Sequence, residues 1–197
     1  FGHEGDPMKH LILYAHPNPK SFNHAILERV EANLKRDRKE YAVRDLYALS
    51  FKPALEGADF VAMGEGRTRP DVAEEQRHIA AADKIIVIHP IWWFGMPAIL
   101  KGYIDRVLAN NFAYKYTDKG PVGLLTGKRV VIFNTTGGSQ EDYEKHGFRS
   151  AIVQAVDVGV YGFCGITVEE HKFLYGVPAI GQEARAAMLE EIKGMNL

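Results

Sequence analysis

Three stretches of this sequence carry residues whose types and spacing suit them to hold a ligand. His16-Pro17-Asn18-Pro19-Lys20-Ser21 leads into Ile26, Leu27, Val30 and Leu34, the spacing of one helix face, so Ser21 is placed as an N-cap. A helix N-terminus offers unpaired amides at the positive end of a dipole, and His16 and Lys20 stand beside it. The segment therefore suits a phosphate or pyrophosphate, or is only a capped helix. Pro90-Ile91-Trp92-Trp93-Phe94-Gly95-Met96-Pro97 holds both tryptophans of the chain. Three consecutive aromatics cannot all turn inward, so they form either an apolar wall on a crevice or a plug between helices. Gly95 lets the backbone pass close to a ligand. Asn134-Thr135-Thr136-Gly137-Gly138-Ser139 combines hydroxyls with two glycines, so its amides can approach the edge of a planar heterocycle, or simply form a turn. A phosphate anchor, an aromatic wall and an amide rim are what a flavin needs.

The elements that must position these stretches follow from periodicity. Leu11–Ala15, Lys84–His89 and Arg129–Asn134 are short, almost unbroken apolar runs, as expected of strands buried on both faces. Tyr41–Leu46 reads as a half-polar edge strand and Ile166–Phe173 as a fifth strand. Helical spacing covers the segment after Ser21, Asp71–Ala82, Ala98–Asn110 opened by Pro97, roughly Phe148–Gly162, and Gln182–Lys193. Strands alternating with helices require right-handed crossovers and an α/β, three-layer sandwich. Five parallel strands fit the flavodoxin-like order 2-1-3-4-5, whose ligands lie at the carboxyl ends of strands 1, 3 and 4. Those ends are where the three stretches begin.

The 197 residues, 46% hydrophobic and 25% charged, fit one domain at about 150 residues per domain. A net charge of −1 gives no basic footprint for nucleic acid or an anionic membrane. The longest uncharged stretch, Ile85–Leu100, contains two prolines and a glycine and is too short to span a bilayer. A single cysteine, Cys164, permits no internal disulfide and reads as a small buried hydrophobe, so a cytoplasmic location is expected. Phe1–Pro7 are taken as an expression remnant, leaving 8–197 as a single flavodoxin-like, flavin-binding domain. No Rossmann glycine fingerprint or Walker A loop follows a strand, and Glu169-Glu170-His171 lacks metal-ligand spacing, so no metal is assigned. Asp105-Arg106 reads as a helix-face ion pair.

The motifs AHPNPKSFNHA (Ala15–Ala25), PxWWFGxPAILKGYIDRV (Pro90–Val107), FAYKY and DKGP (Phe112–Tyr116, Asp118–Pro121), TTGGS (Thr135–Ser139) and GFCG (Gly162–Gly165) resemble the flavodoxin-fold NAD(P)H:quinone oxidoreductases of the DT-diaphorase-like group. The likeness runs from about Lys9 to Ile192. It implies that His16, Ser21, Phe22 and Asn23 hold the flavin phosphates and ribityl chain. Pro90, Ile91, Trp93, Phe94 and Gly95 would line the ring, largely through backbone. Thr135, Thr136, Gly137 and Gly138 would bind its other edge, with Tyr143 at the pyrimidine end. Tyr114 and Tyr116 would reach across from the second subunit of a homodimer, and Phe163 would pack at the substrate face. The catalytic roles implied are those of Gly137, Gly138, Tyr143 and the charge at Arg149, which stands where the animal enzymes carry a histidine; His146 lies three residues earlier. The segment Phe51–Asp71 is shorter than in the animal proteins, and their C-terminal extension has no counterpart here. The activity implied is NAD(P)H dehydrogenase (quinone). NAD(P)H would give a hydride to the flavin, which passes two electrons to a quinone, or to a nitro or azo compound, by a ping-pong route. FAD is the cofactor expected, with FMN the alternative. A flavodoxin-like electron carrier and a flavin-binding accessory subunit of a potassium-efflux system are the competing readings; near-neutral charge argues against the carrier.

Overall fold

Strands with no polar alternation must be covered on both faces, and the fold shows how. The computed structural model describes residues 9–197; the expected remnant, 1–7, lies outside them. The chain order is β1 (Lys9–Tyr14), α1 (Phe22–Arg36), β2 (Glu40–Asp45), α2 (Gly57–Gly64), α3 (Pro70–Ala81), β3 (Lys84–Pro90), α4 (Ala98–Val107), β4 (Tyr114–Thr117) and β5 (Gly120–Gly123). It continues through β6 (Arg129–Thr135), α5 (Gln140–Lys145), α6 (Phe148–Val153) running on as a π-helix (Gln154–Gly162), β7 (Thr167–Leu174) and α7 (Gln182–Lys193). The main sheet is parallel in the order β2-β1-β3-β6-β7. Counting only its own strands, this is the expected 2-1-3-4-5. The labels shift because β4 and β5 form a separate antiparallel hairpin, which the sequence reading had not resolved. Helices α2 and α5 were likewise not anticipated.

Successive residues of the central strands serve opposite faces. Ile12, Tyr14, Ile86, Ile88, Val131 and Phe133 meet α1 and α7 through Ile26, Val30, Leu34 and Ile192. Leu11, Leu13, Ile85, Val87, Val130 and Ile132 meet α3, α4 and the π-helix through Ile79, Leu100, Tyr103 and Tyr161. Each of these aliphatic side chains adds about 2–3 kcal/mol of burial, so the sheet is the rigid part of the molecule.

Two departures from regular geometry shape the carboxyl edge. The expected helix Phe148–Gly162 is α-helical only to Val153; beyond it Phe163 N bonds to Val158 O, the π pattern. A Cβ at Gly162 would lie 3.0 Å from the Asp157 carbonyl oxygen, so glycine permits that tight return. In β7 the pairing steps from Val130↔Val168 to Val131↔Glu170, leaving Glu169 as a bulge residue. Glu169 bonds to Lys84 at 2.8 Å and to Arg129 at 2.9 Å. Beyond the bulge His171 pairs with Ile132 and Phe173 with Asn134, which puts both on the π-helix side of the sheet.

The expected ion pair Asp105–Arg106 does not form between those two residues. Adjacent positions on a helix point about 100° apart. Asp105 accepts from Lys101 at 2.6 Å one turn away. Arg106 turns inward, 1% exposed, and donates to Asp59 at 3.0 Å, Asp71 at 2.8 Å and Lys52 O at 2.8 Å. It ties α2, α3 and their connection to α4. Arg106→Leu strands the buried Asp59 carboxylate, and urea unfolding should show a loss of about 3–5 kcal/mol. A loss below about 1 kcal/mol would mean the cluster is not what fastens α2.

Candidate active site

The three expected stretches converge at the carboxyl ends of β1, β3 and β6. Thr135 joins them: Asn23 Nδ2 donates to its hydroxyl at 2.9 Å and Ile91 N donates to its carbonyl at 2.8 Å. The His16 and Trp92 rings lie 5.7 Å apart across the first two loops. Ser21 caps α1 by accepting from His24 N at 3.1 Å, as expected. The amides of Phe22 and Asn23 are then the open donors of the helix end. Asn18 N donates to His16 Nδ1 at 3.0 Å, and burial pulls the His16 pKa below the ordinary histidine value, so the ring is held neutral. Asn23 is 3% exposed, and its Oδ1 is a buried acceptor with no partner among the described residues. A buried unpaired carbonyl costs about 1–3 kcal/mol unless something donates to it.

The aromatic wall is built as a two-residue hairpin turn. Trp92 N donates to Gly95 O and Gly95 N to Trp92 O, both at 3.1 Å. Between them Trp93 has φ 50° and Phe94 φ 58°. Such a turn needs left-handed backbone at both central positions and normally takes Asn-Gly. Here it carries two bulky aromatics, at a cost of roughly 1–2 kcal/mol per residue. The turn puts Trp93, 97% exposed, and Phe94, 50% exposed, on the crevice. Strain held in a tryptophan as exposed as Trp93 is a mark of function, since packing gains almost nothing from it.

A cavity of about 260 Å³ opens beneath the turn, lined by Ile91, Trp93, Phe94, Gly138, Asp142, Tyr143 and Phe148. Of these, Asp142 and Phe148 were not expected. The Phe148 ring packs 4.0 Å from that of Phe94, tilted by 31°, and its place as the first residue of α6 after the left-handed Gly147 is the signal that marks it. A Cβ at Gly138 would lie 3.1 Å from the Tyr143 ring, so glycine lets the tyrosine pack close to the loop. Thr135 and Thr136 are buried and Gly137 is exposed on the rim. Tyr143 is 5% exposed, and burial together with Tyr175 pushes its pKa up, so its phenol stays protonated.

Other expected residues lie apart from the cavity. Arg149 is exposed, its guanidinium 5.5 Å over the Phe173 ring. Burial raises the pKa of the neighbouring Tyr175 phenol, and the Arg149 charge opposes that rise without reversing it. Tyr175 in turn meets Tyr143 edge-on at 5.6 Å. His146 stacks on Phe148 at 5.5 Å. Tyr114, Tyr116 and Phe163 form their own aromatic group, with Tyr114 5.8 Å from Tyr116 and 5.1 Å from Phe163. A second, larger cavity of about 730 Å³ lies between α2, α4 and Tyr114.

A family described as having a flavodoxin-like fold matches residues 8–195. An uncharacterised NAD(P)H oxidoreductase of Haemophilus influenzae is 37% identical over 93% of this chain and 91% of its own length. NAD(P)H dehydrogenase [quinone] 1 of Rattus norvegicus is 36% identical over 91% of this chain and 73% of its own. The structure of an NAD(P)H:quinone oxidoreductase from Methanothermobacter marburgensis superposes with a TM-score of 0.84 at 28% identity, covering 95% of this chain and 94% of that one. Among the described residues no helix is long and apolar enough to cross a membrane, and no group of three or more potential ligands is arranged for a metal.

Strain at the turn has a direct test. Trp93→Gly removes a left-handed tryptophan that is almost fully exposed, so urea unfolding should show a gain of about 1 kcal/mol. A loss of stability would show that the turn stores no strain.

Proposed function

The chain belongs to the flavodoxin-fold NAD(P)H:quinone oxidoreductase family, and on that premise we propose that it holds a flavin at the carboxyl edge of its sheet and reduces a quinone at the expense of NAD(P)H. The observation that carries the reading is the buried, unpartnered Asn23 Oδ1 at the open end of α1, beside the strained aromatic turn. A ribityl hydroxyl is the kind of donor that Asn23 lacks, and the helix end suits the phosphate.

In this reading His16, Ser21, Phe22 and Asn23 bind the phosphate-bearing tail. Pro90, Ile91, Trp93, Phe94 and Gly95 lie along the ring, and Thr135, Thr136, Gly137, Gly138 and Tyr143 along its polar edge. A flavin held there would supply the redox chemistry, hydride uptake from NAD(P)H and two-electron delivery to the quinone in a ping-pong cycle. FAD is the form proposed, with FMN the alternative; quinones are the proposed acceptors, with nitro and azo compounds as further ones.

What the protein adds is placement and charge. Trp93 and Phe94 exclude water and offer a flat face to a planar acceptor. The Gly137 and Gly138 amides donate hydrogen bonds where negative charge develops on reduction, each worth roughly 3–4 kcal/mol in such sites. Tyr143 can donate throughout the working pH range because burial keeps its phenol protonated. Arg149 is assigned a role through its charge beside Tyr175, since a guanidinium is no proton shuttle. Tyr116, 68% exposed on its hairpin, is assigned with Tyr114 and Phe163 to a site completed by a second subunit.

The purified protein should be yellow, and mass analysis of the released cofactor should give FAD or FMN; a colourless protein that takes up neither overturns the proposal. NAD(P)H alone should bleach that flavin, which an electron carrier needing a separate reductase would not permit. Tyr143→Phe should retain the flavin yet slow its anaerobic reduction about 10²-fold. An unchanged stopped-flow rate would remove Tyr143 from the chemistry. Light scattering of the same preparation should give the mass of two chains, and a monomer would withdraw the shared site.

A further inference from the structure

Four polar side chains cross the carboxyl ends of β3, β6 and β7 in one hydrogen-bonded line, outside the cavity. Asp157 Oδ1, on the π-helix, lies 2.7 Å from His171 Nδ1. His171 Nε2 lies 2.7 Å from Asn134 Oδ1, and Asn134 Nδ2 lies 2.9 Å from His89 Nε2. His89 Nδ1 lies 2.8 Å from the carbonyl oxygen of Pro90. His89 and Asn134 are each 1% exposed, and the His171 side chain 4%.

The line starts and ends on an acceptor, a carboxylate and a carbonyl. Its four bonds need four hydrogens. Two neutral imidazoles provide one each, and an amide that donates on one side and accepts on the other provides a third. One further proton is required, whichever way the amide is turned. Asn134 Nδ2 also approaches His89 O at 3.4 Å, which sets the amide nitrogen on the His89 side. His89 then accepts at Nε2 and donates at Nδ1; it is neutral, and complete burial holds its pKa down to about 4. The additional proton therefore rests on His171, which donates from both ring nitrogens.

We propose that Asp157, His171, Asn134 and His89 are positioning residues that pin the Pro90 carbonyl, and with it the root of the Trp92–Gly95 turn, only while their chain holds this additional proton. When that proton passes to solvent, three hydrogens must serve four contacts. The charge-assisted bond to Asp157 is roughly twice as strong as a neutral one, so His171 keeps the hydrogen on Nδ1. Its bare Nε2 then draws the amide nitrogen, and Asn134 turns over to present Oδ1 to His89. His89 must donate from Nε2, which leaves the lone pair of Nδ1 against the Pro90 carbonyl, and that bond is lost. The balance closes at four hydrogens before, and three after with one in solvent.

The groups around His171 set the sense of the effect. Asp157 favours its charged form; burial and Arg149 on α6 oppose it, and burial prevails. Phe173 stacks on the ring at 4.3 Å. Tyr161, beside Asp157 on the π-helix, stays a neutral phenol through burial, and His89 on β3 adds no charge. The proton therefore leaves below the ordinary histidine value of about 6.5, and acid pH pins the turn.

Histidine-ring nitrogen NMR of the purified protein from roughly pH 5 to pH 8 tests this. At the acid end His171 should show both nitrogens protonated and His89 a proton on Nδ1. As pH rises, His171 should lose one proton while the His89 proton moves to Nε2, with one shared midpoint. In Asp157→Asn the new amide can donate to His171 Nδ1, four hydrogens are present without an added proton, and both changes should vanish. Both tryptophans lie in the turn, so their emission should follow the same midpoint. That measurement uses a His16→Asn background, because the His16 ring stands 5.7 Å from Trp92 and is itself a titratable group. A His89 that keeps its Nδ1 proton while His171 titrates overturns the proposal, as do rings unchanged across the range. The unsubstituted protein decides this even where Asp157→Asn fails to fold.

Discussion

Burial of β1, β3 and β6 on both faces is the constraint on which the other features depend. Positions Ile12, Ile86, Val87, Ile88, Val130 and Ile132 have essentially no solvent exposure, and a polar side chain among them would have to find a partner inside the sheet. Chemistry is therefore confined to the strand ends, and parallel connectivity brings the carboxyl ends of all three strands to one edge. Thr135 shows how narrow that edge is. One residue receives a bond from α1 through its hydroxyl and from the Ile91 amide through its carbonyl, so three loops with no common sequence are held by a single position.

A rigid edge can carry strain that a loop alone would relax. The Trp92–Gly95 turn grows from Ile91, itself bonded to Thr135, and runs into buried Pro97 at the start of α4. Both flanks are anchored, at Ile91 by its bond to Thr135 and at Pro97 by burial, which limits how far the two left-handed aromatics can relax. The Arg106 cluster does comparable work on the other side of α4. It converts three carboxylate and carbonyl groups from separate segments into one joint, and without it α2 would be tied to α3 through Arg69, which pairs with Glu56 and Asp59, and through a half-exposed apolar face.

Much of this was legible in the sequence, and the reasons differ by element. The apolar runs Leu11–Ala15, Lys84–His89 and Arg129–Asn134 specify the central strands because a doubly covered strand needs that pattern. The strand order follows from connectivity, and Ser21 follows from cap chemistry alone. What was hidden depends on contacts between distant residues. Arg106 finds Asp59 across a separation of 47 residues, and nothing in its neighbourhood announces an inward turn. The π-helix has ordinary helical composition; its register is decided by the close return at Gly162 and by Asp157 meeting a strand that follows it. Simple alternation from Val168 would have turned His171 to the wrong side of the sheet, and only the unpaired Glu169 reverses the count. Hairpin β4–β5 was missed because four residues of Tyr-Lys-Tyr-Thr leave no apolar face to detect.

Glu169 divides the responsibilities of the sheet in another way. It is the residue that pairing in β7 passes over, yet its carboxylate is the partner of Lys84, a lysine only 6% exposed at the amino end of β3. A chain shortened by this one residue would pair Val168 and Glu170 with consecutive positions of β6 and keep every downstream side chain on its present face. The deficit would appear at the opposite edge, as an ammonium group buried without its anion. Length variation here is thus invisible to the ligand end of the sheet and expensive at the other. Related chains that differ by one residue at this point should differ in what stands at position 84, while their loops remain free to diverge for reasons of chemistry alone.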